Sequence, residues 1–284
     1  MSPYRDDDFD YDGDQQQEEP WRDSKIDQAK IALEDFFEEH PSEVFYERQL
    51  EVIFESRFFH WITGKALHEL SDEGRLATDL EHLTESTSIR FYRAPAHRYW
   101  RRQAREILDL VRAFSAPDFT RALGRHGELM FEAALPTQGF LPKMRKVRAY
   151  GGKQWTETGH DLDNVYERDG VAYGVEIKNT LPYIPTQELR AKLRMCAFLG
   201  LKPLFIVRMA PKSYIEEVRL QGGFTLVFQY QLYPHGFAEL AQKVRHRLLL
   251  PVDSPARIAD GTIERLLRWH LRTLNPNRQT ITYS

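Results

Sequence analysis

The chain has 284 residues, 42% of them hydrophobic and 29% charged, a balance that suits a folded globular protein and excludes a disordered one. At roughly 100–200 residues per domain, that is one large domain or two modest ones. No apolar run approaches the ~18 residues of a membrane-spanning helix, so no membrane partner is expected. The net charge of −3 hides an asymmetry: residues 1–23 carry nine acids against Arg5 and Arg22, a net −7, which leaves +4 on the rest. This acidic stretch reads as a disordered, solvated tail, with shielding of a basic surface as the sharper alternative. It has neither the basic start nor the apolar core of a signal peptide. Cys196 is the single cysteine, so no internal disulfide and no cysteine-based zinc site can form. An intracellular, cytoplasmic location follows as an expectation, with any metal held by oxygen or imidazole.

Ser24 is a good N-cap for a first helix, with Ile26, Ala29, Leu33 and Phe36–Phe37 as its apolar stripe and a stop before Pro41. A second helix is predicted over Phe45–Phe54 and a third over Trp61–Glu73, closed by Gly74 as a C′ glycine. RLATDL and SIRFYR then read as two strands around a polar turn. Three short helices and a two-stranded ribbon, with TGKALHELSDEGRLATDL as third helix and first ribbon strand, resemble a winged helix-turn-helix domain spanning residues 24–97. The resemblance implies DNA as a partner; a helical cap on an enzyme, without DNA contact, is the plainer alternative. Between Glu85 and Glu106 there is no acid, while Arg90, Arg93, Arg98, Arg101, Arg102 and Arg105 are interleaved with Tyr92, His97, Tyr99 and Trp100. Guanidinium forks of this kind neutralise phosphates bidentately. The third helix is less basic, with Lys65 and His68 set against Glu69, Asp72 and Glu73. Residues 98–116 read as a linker helix ending at Ala116–Pro117.

From residue 117 to the C-terminus the pattern is helix (FTRALGRHGELMFEAAL), three strands (MRKVRAY, LDNVYE, VAYGVEIKN), a helix over Thr186–Leu199, and a strand PLFIVR bounded by Pro203 and Pro211. TLVFQYQL is a last strand, and helices near Phe237–Leu248 and Ile263–Leu274 end the chain. A mixed central sheet flanked by helices, an α/β fold, is predicted.

Asp169–Gly170 is a strong two-residue hairpin turn. Pairing Arg168 with Val171 and counting back sets Asp163 opposite Glu176, where Cβ atoms lie about 4.5–5.5 Å apart. Alternation then puts Asp161, Asp163, Glu176 and Lys178 on one face, and Leu162, Tyr166, Tyr173, Val175 and Ile177 on the other. Opposed acids repel, and a divalent cation relieves that repulsion; carboxylates suit magnesium or manganese. Pairing of Lys178 with Asp161 on a solvated face is the plainer alternative.

Asp163 followed by Glu176-Ile177-Lys178 resembles the signature of the PD-(D/E)XK nuclease superfamily, across roughly residues 117–210. GRHGELMFEAALPTQGF is similar to the family's first helix, which carries its acid onto Glu128, with Glu132 as the competing choice. The family's proline before the aspartate is missing, so Asp161 rivals Asp163; the hairpin count favours Asp163. The resemblance implies a restriction-endonuclease-like fold and a Mg2+ (or Mn2+) ion held by Asp163, Glu176, the Ile177 carbonyl and Glu128 or Asp161. It makes Lys178 the catalytic lysine, protonated without metal, and adds Gln187 or Lys192 from the following helix. The implied activity is metal-dependent hydrolysis of DNA in restriction or defence, repair or recombination. An inactive DNA-binding regulator or assembly factor is the alternative. Lys143, Arg145 and Lys146 form a candidate phosphate track beside the hairpin, and a homodimer is expected if both strands are cut. Scattered histidines, the Gly151–Gly152 and Gly222–Gly223 turns and Cys196 show no metal, phosphate-loop or nucleophile spacing.

Overall fold

The computed structural model describes residues 23–274; the acidic stretch expected over residues 1–23 lies outside them except for Asp23. Helix α1 runs over Ser24–Glu39, and its cap is Asp23, not Ser24: the Asp23 carboxylate accepts the Lys25 N–H at 3.0 Å. The helix ends ahead of Pro41, as the proline requires. Residues 45–54 are not one helix. Val44–Tyr46 form strand β1 and only Glu47–Ile53 form helix α2. All three β1 residues are buried, and β-branched and aromatic side chains favour a pleated, packed strand there. Helix α3 (His60–Asp72) is closed by Gly74 at φ +73°, where the Arg75 and Leu76 N–H groups return to the Leu70 carbonyl. Strands β2 (Ala77–His82) and β3 (Ser88–Arg93) complete an antiparallel sheet in the order β1-β3-β2. Leu33, Phe37, Phe45, Leu50, Ile62, Leu67 and Tyr92 form the core between this sheet and the three helices.

Helix α4 (Trp100–Ser115) is amphipathic, burying Trp100, Ala104, Ile107, Leu108 and Val111. That stripe does not hang in solvent as a tether. It packs in one cluster with Tyr46 and Phe91 of the N-terminal sheet, with Phe119 and Leu123 of helix α5 (Pro117–Ala134), and with Val244 and Leu248 of helix α8 (Ala238–Leu248). The two halves of the chain therefore share a core.

The second sheet has five strands: β4 (Leu141–Val147), β7 (Leu162–Arg168), β8 (Val171–Lys178), β9 (Lys202–Val207) and β10 (Phe224–Val227), in the order β10-β9-β8-β7-β4. Strands β4, β7 and β8 run antiparallel, and β8, β9 and β10 run parallel. Helix α5 and helix α9 (Asp260–Leu274) cover one face, through Phe131, Ile263 and Leu266. Helix α6 (Thr186–Leu199) and helix α7 (Lys212–Leu220) cover the other. This is a mixed α/β fold, and no helix among the described residues is long and apolar enough to cross a membrane.

Several expectations need correction. MRKVRAY is two strands, with β4 starting already at Leu141 and breaking at Arg148 before the two-residue β5 (Ala149–Tyr150), which turns through Gly151–Gly152 onto β6 (Lys153–Gln154). TLVFQYQL also splits, into β10 and the short β11 (Gln231–Leu232), because Gln229 takes φ +73° and leaves the sheet; β11 pairs instead with β12 (Val252–Asp253). Helix α7 follows Pro211, where only a strand boundary was read. Leu162 packs with Val165, Met195 and Cys196 under α6 and not with Tyr166 and Tyr173, so the strand face twists at its first residues.

One buried ion pair crosses between the halves. Arg208, just past β9, is 1% exposed, and its guanidinium clasps Glu55, at the end of α2, with bonds of 2.5 and 2.6 Å. The same guanidinium donates to the Thr180 and Leu181 carbonyls at 3.1 and 2.5 Å. Burial pushes the Glu55 carboxyl up, but the Arg208 hydrogen bonds and the His60 ring 3.6 Å away overcome it and hold Glu55 below the usual carboxylate range. Removing one partner of such a pair strands a buried charge, so Glu55→Ala should destabilise the chain by about 3–5 kcal/mol in urea titrations. Glu55→Leu with Arg208→Met should recover most of that loss. A loss below ~1 kcal/mol for Glu55→Ala would show that the pair carries no stability.

Candidate functional site

The Asp169–Gly170 turn takes φ +48° and +76°, the doubly left-handed form that two-residue hairpins favour. The expected register follows from Arg168↔Val171 to Asn164↔Val175. There the ladder stops. At the next position β7 and β8 part, and the Ile177 N–H donates to the Asp163 carboxylate at 2.7 Å. Strand β8 stays paired to β9 through Lys178↔Val207, so only its β7 edge is open. Asp163 thus caps a strand edge at the point where Glu176 enters from β8.

Glu176 is fully buried, and neither carboxylate oxygen accepts a hydrogen bond of good geometry. Two ammonium groups hold it as ion pairs instead: Lys178 at 2.9 Å and Lys192 from α6. Lys192 is only 4% exposed. Glu188, one helical turn before it, takes Lys178 at 2.8 Å and Lys192 at 3.7 Å. Burial lowers the Lys178 ammonium, but Glu176 and Glu188 outweigh it, and its pKa is raised above the ordinary value. Lys178 is therefore charged at every physiological pH, as its acidic neighbours imply. Burial raises Glu188, and Lys178 and Lys192 reverse this, leaving its pKa lowered. Asp163 moves the other way: burial first, and then the Glu176 charge, push it up to about 7.

Asn179, buried next to Lys178, fixes the end of β8. Its amide donates to the Leu123 and Leu232 carbonyls, both at 2.8 Å, and its carbonyl accepts the Leu232 N–H at 2.7 Å. Helix α5 crosses so closely that a Cβ on Gly127 would stand 2.5 Å from the Asn179 Cβ.

The structure thus brings together Asp163, Glu176, Lys178 and Lys192. Glu128 bonds Arg125 on its own helix at 3.0 Å, and Glu132 bonds Arg145 of β4 at 2.8 Å. Asp161 is half-buried ahead of β7, without a polar side-chain partner among the described residues, and Gln187 is exposed. Among the described residues no three His, Cys, Asp or Glu side chains converge as a metal cage. Asp163 and Glu176 still fit a hard divalent ion, because magnesium keeps several waters and commonly takes only one or two carboxylates. Glu188 was not anticipated; its spacing of four from Lys192 on the helix after Glu-x-Lys was the available signal. Cys196, under Gly174, is buried, and its thiol is pushed up to about 12, first by burial and then by Glu176, so it is no nucleophile.

The basic residues divide. Arg93 is committed to Asp79 by two bonds of 3.2 and 3.0 Å, and Arg90 bonds His68 at 3.0 Å. Lys143 pairs with Glu167 at 2.9 Å, whereas Lys146 is exposed at φ +49°. Lys65, Arg98, Arg101 and Arg102 are exposed.

The raised Asp163 pKa has a consequence for stability. A carboxyl that holds its proton longer folded than unfolded loses stability as pH rises from about 4 to its folded value near 7. Asp163→Asn keeps an acceptor for the Ile177 N–H and removes that loss. In EDTA its melting temperature should exceed the parent's at pH 8 and converge on it towards pH 4–5, at about 2–4 °C per kcal/mol for a chain of this size. An offset independent of pH would contradict the shift. Comparison with protein-family models, curated proteins and solved structures finds no match to the chain, so its chemistry is read from this geometry.

Proposed function

We propose that the chain is a metal-dependent nuclease that hydrolyses DNA phosphodiester bonds, with Asp163, Glu176 and Lys178 as its centre. The observation that carries this reading is the meeting of Asp163 and Glu176 where β7 and β8 part, two residues from Lys178. The run of α5, the antiparallel β4-β7-β8, α6 and the parallel β9 supports a PD-(D/E)XK core around that point. The order α1-β1-α2-α3-β2-β3 with its β1-β3-β2 sheet supports a winged helix in front of it.

Asp163, Glu176 and the Ile177 carbonyl would hold magnesium or manganese, which when bound neutralises a scissile phosphate and lowers the pKa of a water. The residues of the chain do the rest. Lys178 is a fixed positive charge, suited to the negative charge that grows on a phosphate under attack and unsuited to accepting a proton. Glu188 holds its ammonium in place from the helix side. Lys192 is the second ammonium group, after Lys178, that balances the buried Glu176. Restriction or defence, repair and recombination are all served by such a reaction, and the preferred DNA form separates them.

The test is a gel assay on linear, supercoiled, single-stranded and branched DNA with magnesium, manganese or EDTA. Cleavage should need metal and fall at least ~10²–10³-fold in Asp163→Asn and Lys178→Ala, with DNA binding kept. Manganese titrated calorimetrically should bind the parent and release protons near pH 7, as a carboxyl with a raised pKa must ionise to take metal. Cleavage in EDTA would overturn the metal-dependent reading, and no metal uptake with DNA binding retained would replace it by a DNA-binding regulator that does not cut.

A further inference from the structure

We propose that the exposed arginines at the start of α4 form the track that holds the backbone of the nucleic acid, in place of α3 and the β2–β3 hairpin; the identity of the partner rests on the nuclease reading. On α4 the buried stripe of Trp100, Ala104, Ile107, Leu108 and Val111 faces the core, which turns Arg101, Arg102 and Arg105 to the opposite, exposed side. Arg98 is exposed just ahead of them. Arg98 and Arg105 have no ion pair or hydrogen bond among the described residues, and Arg101 only overlies the Trp100 ring at 5.2 Å. Arg102 is matched by Glu106, which also faces Arg247 of α8, so that single acid answers two guanidinium groups. Arg101 and Arg105 are separated by about 6 Å along the helix, close to two backbone steps of one DNA strand at 3.4 Å each. Tyr99, 88% exposed at the head of the stripe, offers a ring on which a base can stack.

The alternative surface is spent. Arg93 is bound to Asp79 and to the His97 carbonyl, and it stacks on Trp100. Arg90 and His68 are engaged with each other and with Glu47. On α3, Lys65 shares the exposed side with Asp72, which would repel phosphates.

Fluorescence anisotropy in EDTA tests the proposal on the full chain without requiring cleavage. Labelled duplex and single-stranded DNA are titrated with the parent, with Arg98→Ala/Arg101→Ala/Arg105→Ala, with Tyr99→Ala, and with an Arg194→Ala/Arg219→Ala control. The triple variant should bind at least ~10-fold more weakly and lower the slope of log affinity against log salt by about 3. The control should match the parent, and Tyr99→Ala should weaken the single strand more than the duplex. All variants lie on exposed side chains, so an unchanged melting temperature confirms that they fold. Parent-like affinity and salt slope in the triple variant overturns the proposal. So does a peptide of residues 1–22 that binds at the triple-variant site when neither DNA does, because the stripe then serves an acidic segment. Loss of cleavage in the parent with triple-sensitive binding intact would reject the nuclease reading alone.

Discussion

A guanidinium with 1% of its side chain in contact with solvent stays charged only where its partners replace water, and for Arg208 they come from both halves of the molecule. Glu55 lies 153 residues away in sequence and contributes both carboxylate oxygens; Thr180 and Leu181 contribute carbonyls within three residues of Lys178. Desolvating such a pair is expensive, and what it achieves is uniqueness of arrangement more than stability. The end of α2 has one place to go, and so does the chain leaving β8. Around it, Gln49 reaches the Leu248 carbonyl and Tyr183 stacks on His60, so the polar contacts follow the same seam as the shared apolar core.

The cluster at the end of β8 follows from the same economy of charge. Three carboxyls, Asp163, Glu176 and Glu188, face two ammonium groups, Lys178 and Lys192. The lysines pair with Glu176 and Glu188, while burial first and the Glu176 charge second hold the proton on Asp163; Glu188, beside both lysines, gives its up easily. A site of this kind gains affinity for a cation as Asp163 ionises. The lysine charge is already in place before any phosphate arrives, so no reorganisation is needed to present it.

Local signals in the sequence were strong where they were short-range. Asp169–Gly170 sets the hairpin register through to Asn164, and the same count brings Asp163 towards Glu176. Gly74, Pro41 and the bounds of α6 were read correctly for the same reason: caps and prolines act on their immediate neighbours. Three kinds of feature escaped. Strand β1 has three residues, too few for a period to show beside the helix that follows. Gln229 breaks the expected last strand with a positive φ and no glycine to mark it. A pairing between distant residues, Glu55 with Arg208, leaves no local pattern at all. The direction of an arginine is equally invisible: Arg93 and Arg101 look alike in sequence, but one is locked to Asp79 and the other is exposed.

The tip of the acidic hairpin is tied down from the far end of the chain. His270 of α9, fully buried, meets the Tyr173 hydroxyl at 2.6 Å and the Asp169 carboxylate at 2.9 Å, across 97 and 101 residues. During synthesis the chain emerges from its N-terminus, so both strands of the hairpin are made about a hundred residues before His270. The hairpin bearing Asp163 and Glu176 gains its last anchor only when α9 has been made. A chain made only as far as α8 therefore lacks the two bonds that tie down the tip of this hairpin.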